Sequence, residues 1–483
     1  MTIEPTPPPV SVEVSWTTAV GTSRTTLTTH MWTAPPMRRD SPIHDAAFDA
    51  LRALEADLVR FLPWYSHPRV AVAELTPPTD TDTSWDFTLL DPFVEDFMAA
   101  TAGRPVVANF ATIPSWMFVT PEPVPVPDDA TETQWNYEQG TELRDPSCAE
   151  VADYFHRLAS WYIAGGFTDE HGCRHESGHH YRFAYWEILC EPDIGHRIPP
   201  ETYTKIYDAV VERLRPLDPE MKFVGLSLSH VHHEPEYFWT FLDPAEHANG
   251  IPLDAVSYHF YGSAEIANPF SEHGNAAYAH WRDIFFSQAE GFLDQVRFID
   301  SIRRRLAPGT ATFINELGTF PPDIMNPAPE IPEEYWALSA AVQSYIWSRL
   351  VELGVDLVGI AEFMDYPGMI PGTSLLDWET GAPNARYRAL ALLLRHFGPG
   401  DTLVATTTGF PGFPDVRVHA QGYVAPDGTR TLLLVNKTAH PVTIALDHET
   451  GPGHLEQIGA TSSADDDSGP ATLAPFATAA MSF

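Results

Sequence analysis

Cysteine is nearly missing from this 483-residue chain: Cys148, Cys173 and Cys190 are its only three. An odd, small number in so long a chain excludes a disulfide framework as the source of stability. Basic residues are scarce too, with 28 Lys and Arg against 65 Asp and Glu and a formal net charge of −37. A field of that sign repels phosphate backbones and anionic lipid, so neither nucleic acid nor a membrane surface is an expected partner. No uninterrupted apolar run approaches the ~20 residues of a membrane-spanning helix. The opening "MTIEPTPPPV" has neither a basic nor an apolar stretch, so no secretory signal is read and a cytoplasmic location is expected.

What is present is a large core. Hydrophobic residues make up 44% of the chain and aromatic residues 12%, enough for one large domain and a smaller one. From about Arg24 to Phe363, short β-branched and aromatic runs alternate with longer amphipathic segments. The strand candidates are "RTTLTTHMW" (24–32), "RVAVAEL" (69–75), "PVVANFA" (105–111) and "FAYWEILC" (183–190). They continue with "KFVGLSL" (222–228), "DAVSYHFY" (254–261), "ATFINE" (311–316) and "VDLVGIAEF" (355–363). Between them, stretches such as 41–62, opening on Ser41 and Pro42, carry helical periodicity. Strands apolar on both faces and alternating with helices predict a parallel sheet, and eight of them predict a (β/α)8 TIM barrel with its site at the strands' carboxyl ends. An open doubly wound sheet is disfavoured, because no glycine-rich turn follows the first strand.

After about residue 400 the pattern changes to period-two runs joined by turn signals such as "APDGTR". Three regions are therefore expected: 1–20 as a strand or strands joining a β-sandwich, 21–400 as the barrel, and 401–483 as the β-sandwich itself, with "ADDDSG" (464–469) as a solvated loop.

Two glutamates stand at corresponding strand ends: Glu191 in "YWEILCEPD" and Glu316 in "FINELG". Carboxylates at water-poor strand termini are costly unless paired or used, so two facing one mouth form a constellation. "YWEILCEPD" resembles the acid/base strand of clan A glycoside hydrolases, and "FINELG" resembles their nucleophile strand. With "DAVSYHFYG" between them, "WDFTLLDPFVEDFMAAT" (85–101) and "LDWETGAPNARYRALALLLRHFGPG" leading into the second domain, the chain most resembles glycoside hydrolase family 39, the β-xylosidases and α-L-iduronidases. The resemblance implies a retaining glycosidase acting on a xyloside, arabinoside or related short glycoside, with Glu191 as general acid/base and Glu316 as nucleophile. It also implies that His259 and Tyr261, two apart and so on one face, lie beside the nucleophile, with Tyr261 bonded to Glu316. Trp32, Asn109, Glu362 and Asp365 end other strands and are candidates for binding sugar hydroxyls. Trp378 is a candidate either for stacking on a sugar or for packing between domains.

Two departures bear on the substrate. Cys190 stands where the family carries an Asn whose amide bonds the sugar 2-hydroxyl, and a thiol is only a weak donor and acceptor. Glu362 and Phe363 stand in the eighth strand where many clan A enzymes place a Trp. Cys190 therefore either merely packs or marks an unusual sugar. The His-rich loop 171–180 has zinc-compatible residue types but no standard spacing; a polar loop near the site mouth is the preferred reading, and no metal or other cofactor is expected. A transglycosylase with the same two carboxylates and a non-catalytic carbohydrate-binding barrel are the alternatives. A carbohydrate is the expected partner, and self-association is left open.

Overall fold

The computed structural model describes residues 7–64, 66–229, 231, 234–264, 276–410, 413–447, 453–459 and 471–483. A long first strand, β1 (Val10–Thr22), leads into a closed barrel. The barrel begins with β2 (Thr26–Trp32), β3 (Val59–Leu62) and β4 (Val106–Ala108). A hairpin of β5 (Gly166–Thr168) and β6 (Arg174–Glu176) follows, and then the barrel resumes with β7 (Tyr185–Glu187), β8 (Lys222–Leu228), β9 (Ala255–Ser263), β10 (Ala311–Phe320) and β11 (Leu357–Ile360). Its eight strands run parallel, and β11 closes on β2. Helices such as Ala149–Ile163, Pro200–Leu214 and Tyr278–Leu306 connect them and bury one apolar face each against the wall. This is the barrel that the alternation of apolar runs predicts.

The second barrel strand lies elsewhere than the sequence suggests. "RVAVAEL" is not a strand: Pro68 opens a short helix, Pro68–Ala71, and Glu74 makes only an isolated bridge to Trp85. The strand is "VRFL", which the helical periodicity of 41–62 had absorbed. The helix itself runs only from His44 to Leu54 and stops at Glu55, whose left-handed backbone (φ 51°) breaks the ladder. Its period continues by accident into four residues that are buried on both faces.

Beyond the barrel, β12 (Thr402–Thr408), β13 (Val418–Val424), β14 (Arg430–Asn436), β15 (Val442–Leu446), β16 (His454–Ile458), β17 (Thr472–Leu473) and β18 (Thr478–Ser482) build the second domain. With β1 they form an eight-strand ladder ordered β16-β18-β14-β13-β12-β1-β15-β17. The ladder folds over itself as a β-sandwich, so that Val12, Leu434, Ile444, Leu455 and Met481 share one small core. Asn436, Ala425 and Gly428 shape its turns, while the "ADDDSG" stretch lies outside the described residues. The helix Glu333–Leu353 is buried almost all round because it serves both domains. Its Ser344 meets Thr478 and its Ser348 meets His419 and Tyr423 on the sandwich side.

Backbone irregularities at the barrel's carboxyl end aim the site. Leu189, Glu191, Leu226 and Ser227 all have positive φ, and β10 carries a bulge between Ile314 and Glu316. Such conformations cost free energy for non-glycine residues and persist only where surroundings enforce them. The bulge leaves the Asn315 carbonyl against Gly359 of β11, where an added Cβ would come within 2.5 Å of that oxygen. Gly359→Ala is therefore expected to push β10 from β11, destabilise the fold by about 1–3 kcal/mol in urea unfolding, and displace Glu316. Unchanged stability would show that the two strands separate freely.

Candidate active site

The mouth is organised around a buried arginine. Arg60, on β3, is 1% exposed. Its Nε donates to Glu187 (2.6 Å) and its Nη1 to Glu316 (2.7 Å), while Nη2 reaches Ser227 (3.2 Å) and the Cys190 thiol (3.7 Å). Glu187, on β7, has every lone pair engaged. One carboxylate oxygen takes Arg60 and the Asn109 amide (2.6 Å), the other Ser257 and the Asn315 amide, each at 2.6 Å. A fully saturated carboxylate at 0% exposure is structural, holding four strands in register.

Glu191 and Glu316 come together. His259 Nδ1 donates to Glu191 Oε1 at 2.9 Å and lies 3.3 Å from Glu316 Oε2. Two oxygens that close to one nitrogen are within about 6 Å of each other, a separation matching paired carboxylates with one anomeric carbon between them. His259 Nε2 and Ser227 Oγ are hydrogen-bonded at 2.9 Å. Tyr261 donates to Glu316 Oε2 at 2.8 Å and also lies 3.0 Å from Glu362 Oε1. The other Glu362 oxygen pairs with His30 Nε2.

Charge follows from these contacts. Burial alone would raise the pKa of Glu316, but the charges of His259, His30 and Arg60, with the Tyr261 hydrogen bond, hold it well below the ordinary carboxylate range. Burial would lower that of His259, yet Glu316 and Glu191 together raise it above the ordinary imidazole value. The Cys190 thiol is pushed well up, by burial first and by Glu316 second, and remains neutral. Asp365 is likewise pushed well up by burial and by Glu362.

The other sequence candidates divide. Glu362, Cys190, His259 and Tyr261 line the same mouth as the two glutamates. Trp32 spends its indole N–H on the Met364 carbonyl (2.8 Å), leaving its ring against Trp64, His67 and Tyr366. Asn109 spends its amide on Glu187 and the Leu189 carbonyl. Asp365 is fully buried behind the mouth and accepts from Thr373. Trp378 sets its ring against that of Trp336, 6.4 Å between centroids. Arg60, Glu187, Ser227 and His30 were not singled out from sequence. The signal for three of them was available: a charged or imidazole side chain inside an otherwise apolar strand, as in "VRFL", "YWEIL" and "TTHMW".

The His-rich segment 171–180 makes none of the contacts described above with Glu191 or Glu316. It includes β6 of the β5–β6 hairpin, where His175 stacks on Phe167 and Asp169 accepts from His175 (2.8 Å) and two backbone amides. Among the described residues, two groups have the spacing to hold a metal ion: Cys190–His259–Glu316 and His30–Glu316–Glu362. Both depend on Glu316, whose two oxygens already face the Arg60 guanidinium, the His259 imidazole and the Tyr261 phenol, so a metal ion there would meet the like charge of the guanidinium.

The comparisons agree with this architecture. Residues 415–481 match the C-terminal immunoglobulin-like domain of D-apionate lactonase. No curated protein matches the chain. The fold is similar to that of a GH51 arabinofuranosidase from Xanthomonas axonopodis pv. citri, with a TM-score of 0.63 at 13% identity over 98% of this chain and 99% of that one. A GH39 β-xylosidase from Caulobacter crescentus gives 0.60 at 14% identity, covering 98% and 99%. A family 51 α-L-arabinofuranosidase from Bifidobacterium longum gives 0.63 at 14%, covering 99% and 100%. At such identities the likeness is one of fold, and it extends over both domains.

The two shifted groups set opposite limits on stability. The stabilisation from charged His259 is fully present below about pH 6.5, its unfolded value, and is lost as pH rises through its higher folded value. That from ionised Glu316 is present above about pH 4.3 and is lost as pH falls through its lower folded value. The melting temperature is expected to peak between about pH 4.5 and 6.5. His259→Asn should flatten the alkaline fall; an identical alkaline slope in that variant would mean that His259 carries no such charge.

Proposed function

We propose that this protein is a retaining glycoside hydrolase that cleaves short neutral pentosides, xylosides or arabinosides, by double displacement. One observation carries the reading: Glu191 and Glu316, from separate strands, share the Nδ1 of His259. Their nearest oxygens are at most about 6 Å apart, which suits the ~5–5.5 Å of a retaining pair better than the ~6.5–9.5 Å at which an inverting pair admits water. Glu316, kept anionic by its cations, is the nucleophile. Glu191 gives its proton to the departing oxygen and, once Glu316 is esterified, takes one from water.

The mouth also favours an uncharged sugar. Glu191, Glu316 and Glu362 end at it, whereas the Arg60 guanidinium is already paired with Glu187 and Glu316, and the imidazoles of His259 and His30 face Glu191 and Glu362. A uronate carboxyl would enter against like charge with no free cation among these residues to receive it. The neighbours of similar fold are named as arabinofuranosidases and a β-xylosidase, which supports the pentoside class.

A second reading has its own observation, the match of residues 415–481 to a lactonase domain. A sugar lactone is flat at the carbon under attack, as is an oxocarbenium ion, and the same two carboxylates suit its hydrolysis. The pentosidase reading predicts release of nitrophenol from 4-nitrophenyl α-L-arabinofuranoside or β-D-xylopyranoside; acid release from aldonolactones alone would favour the lactonase.

Glu191→Ala and Glu316→Ala are each expected to lower turnover of the better nitrophenyl pentoside by about 10²–10⁴-fold. Proton NMR should show the product formed first with its anomeric configuration kept, and inversion would end the double-displacement reading. Cys190→Asn should shift the ratio of rates across a panel of aryl glycosides, because an amide replaces a weak donor beside Glu316. An unchanged ratio would leave Cys190 a packing residue.

A further inference from the structure

The phenol of Tyr261 has one proton and two carboxylates within reach. Its oxygen lies 2.8 Å from Glu316 Oε2 and 3.0 Å from Glu362 Oε1. The ring cannot choose between them by moving, because it stacks on Phe320 at 4.5 Å and 10°. Only the O–H can turn. Glu362 is held too: it is 7% exposed, its second oxygen is paired with His30, and His30 is fully buried. In the resting site the proton belongs to Glu316, the nearer oxygen of a carboxylate kept ionised by its cations.

The reaction changes that preference. Oε2 is the Glu316 oxygen on the side of Glu191, through their common contact with His259, while Oε1 is clasped by Arg60. When Oε2 bonds to the anomeric carbon, the bond to the leaving oxygen breaks and that oxygen takes the Glu191 proton. The alkylated oxygen is then a poor acceptor. Tyr261 is half-buried, and once a bound sugar covers it an O–H left without an acceptor is costly. Building on the glycosidase reading above, we propose that Glu362 is a positioning residue that accepts the Tyr261 hydrogen bond while Glu316 is esterified, and so lengthens the life of the covalent intermediate. No proton leaves Tyr261; it only rotates, and it turns back when water releases Glu316 as a carboxylate.

This role has an unusual consequence. Losing the acceptor raises the intermediate more than it raises either flanking transition state, in which Glu316 is only partly bonded. The intermediate should therefore break down faster, whereas general damage to the site would slow every step.

The test compares two neutral replacements, Glu362→Leu and Glu362→Gln, of which only the second keeps an acceptor oxygen. Wild type and variants are loaded with 2-deoxy-2-fluoro pentosyl fluoride of the sugar that the wild type prefers. The ester at Glu316 is confirmed by peptide mass spectrometry, and its decay is followed by recovery of activity. The lifetime in Glu362→Leu should be about tenfold shorter than in Glu362→Gln. Should the leucine variant not fold, Glu362→Met, unbranched and of similar length, is read the same way. Equal lifetimes in the two variants, or a longer one with leucine, overturn the proposal and leave the glycosidase reading intact. Failure of the wild type to form an ester at Glu316 overturns both.

Discussion

A single guanidinium inside a barrel sets the terms for this site. Placing Arg60 at 1% exposure carries a desolvation cost that only close, well-directed anions can offset. The two it meets, Glu187 and Glu316, come from strands on different sides of the barrel interior, so the ion pairs fix distances across the cavity as well as charge. Glu187 is bound by Arg60, Asn109, Ser257 and Asn315 together, which ties β3, β4, β7, β9 and β10 to one carboxylate. Glu316 receives only what keeps it ionised and still leaves it facing the mouth.

That contrast explains how Glu187 and Glu191, four residues apart on one run of chain, come to differ so completely. Glu187 ends the regular part of β7 and points into a saturated polar core. After it, Leu189 and Glu191 take left-handed backbone conformations, and the Glu191 amide donates to the Ser227 carbonyl at 2.8 Å on a strand end bent in the same way. The turn lifts Glu191 out of the ladder toward His259 and leaves Cys190 facing Arg60 and Glu316. A thiol there is compact and uncharged. It fills the space beside Glu316, takes only a long contact from the guanidinium, and lacks the strong hydrogen-bonding groups of an amide.

Much of this was legible in the chain. The alternation of apolar runs with helical periods carries the barrel, because strands buried on both faces leave no other pattern, and period-two runs after residue 400 carry the second domain. Glu191 and Glu316 stand out since a carboxylate after an apolar strand has few structural uses. Arg60 escaped for the opposite reason. Its four-residue strand follows a helix whose spacing it happens to continue, and Arg52 and Arg60 look alike until one knows that the helix stops at Leu54. Which donors Asn109 and Trp32 would have left for a ligand was equally hidden, since their partners, the Leu189 and Met364 carbonyls, are set by tertiary contacts alone.

The charge balance of the whole molecule gives the mouth its character. With a net charge of −37, the chain has few cations to place, yet it buries Arg60 and Arg386 completely or nearly so. Arg386 donates to the carbonyls of Ala361 and Thr373, and so anchors the segment that carries Glu362 just as Arg60 anchors Glu316. The two arginines thus steady the neighbouring strand ends that carry Glu316 and Glu362 without presenting a free guanidinium to the opening. Anionic ligands gain nothing there, from near or far, and the long-range field already disfavours their approach. A neutral polyol loses nothing by the same field and meets acceptors on Glu316, Glu191 and Glu362 for its hydroxyl protons. The scarcity of basic residues, first visible in composition, is therefore continued into the site, where both buried guanidiniums are already spent on carboxylates and carbonyls.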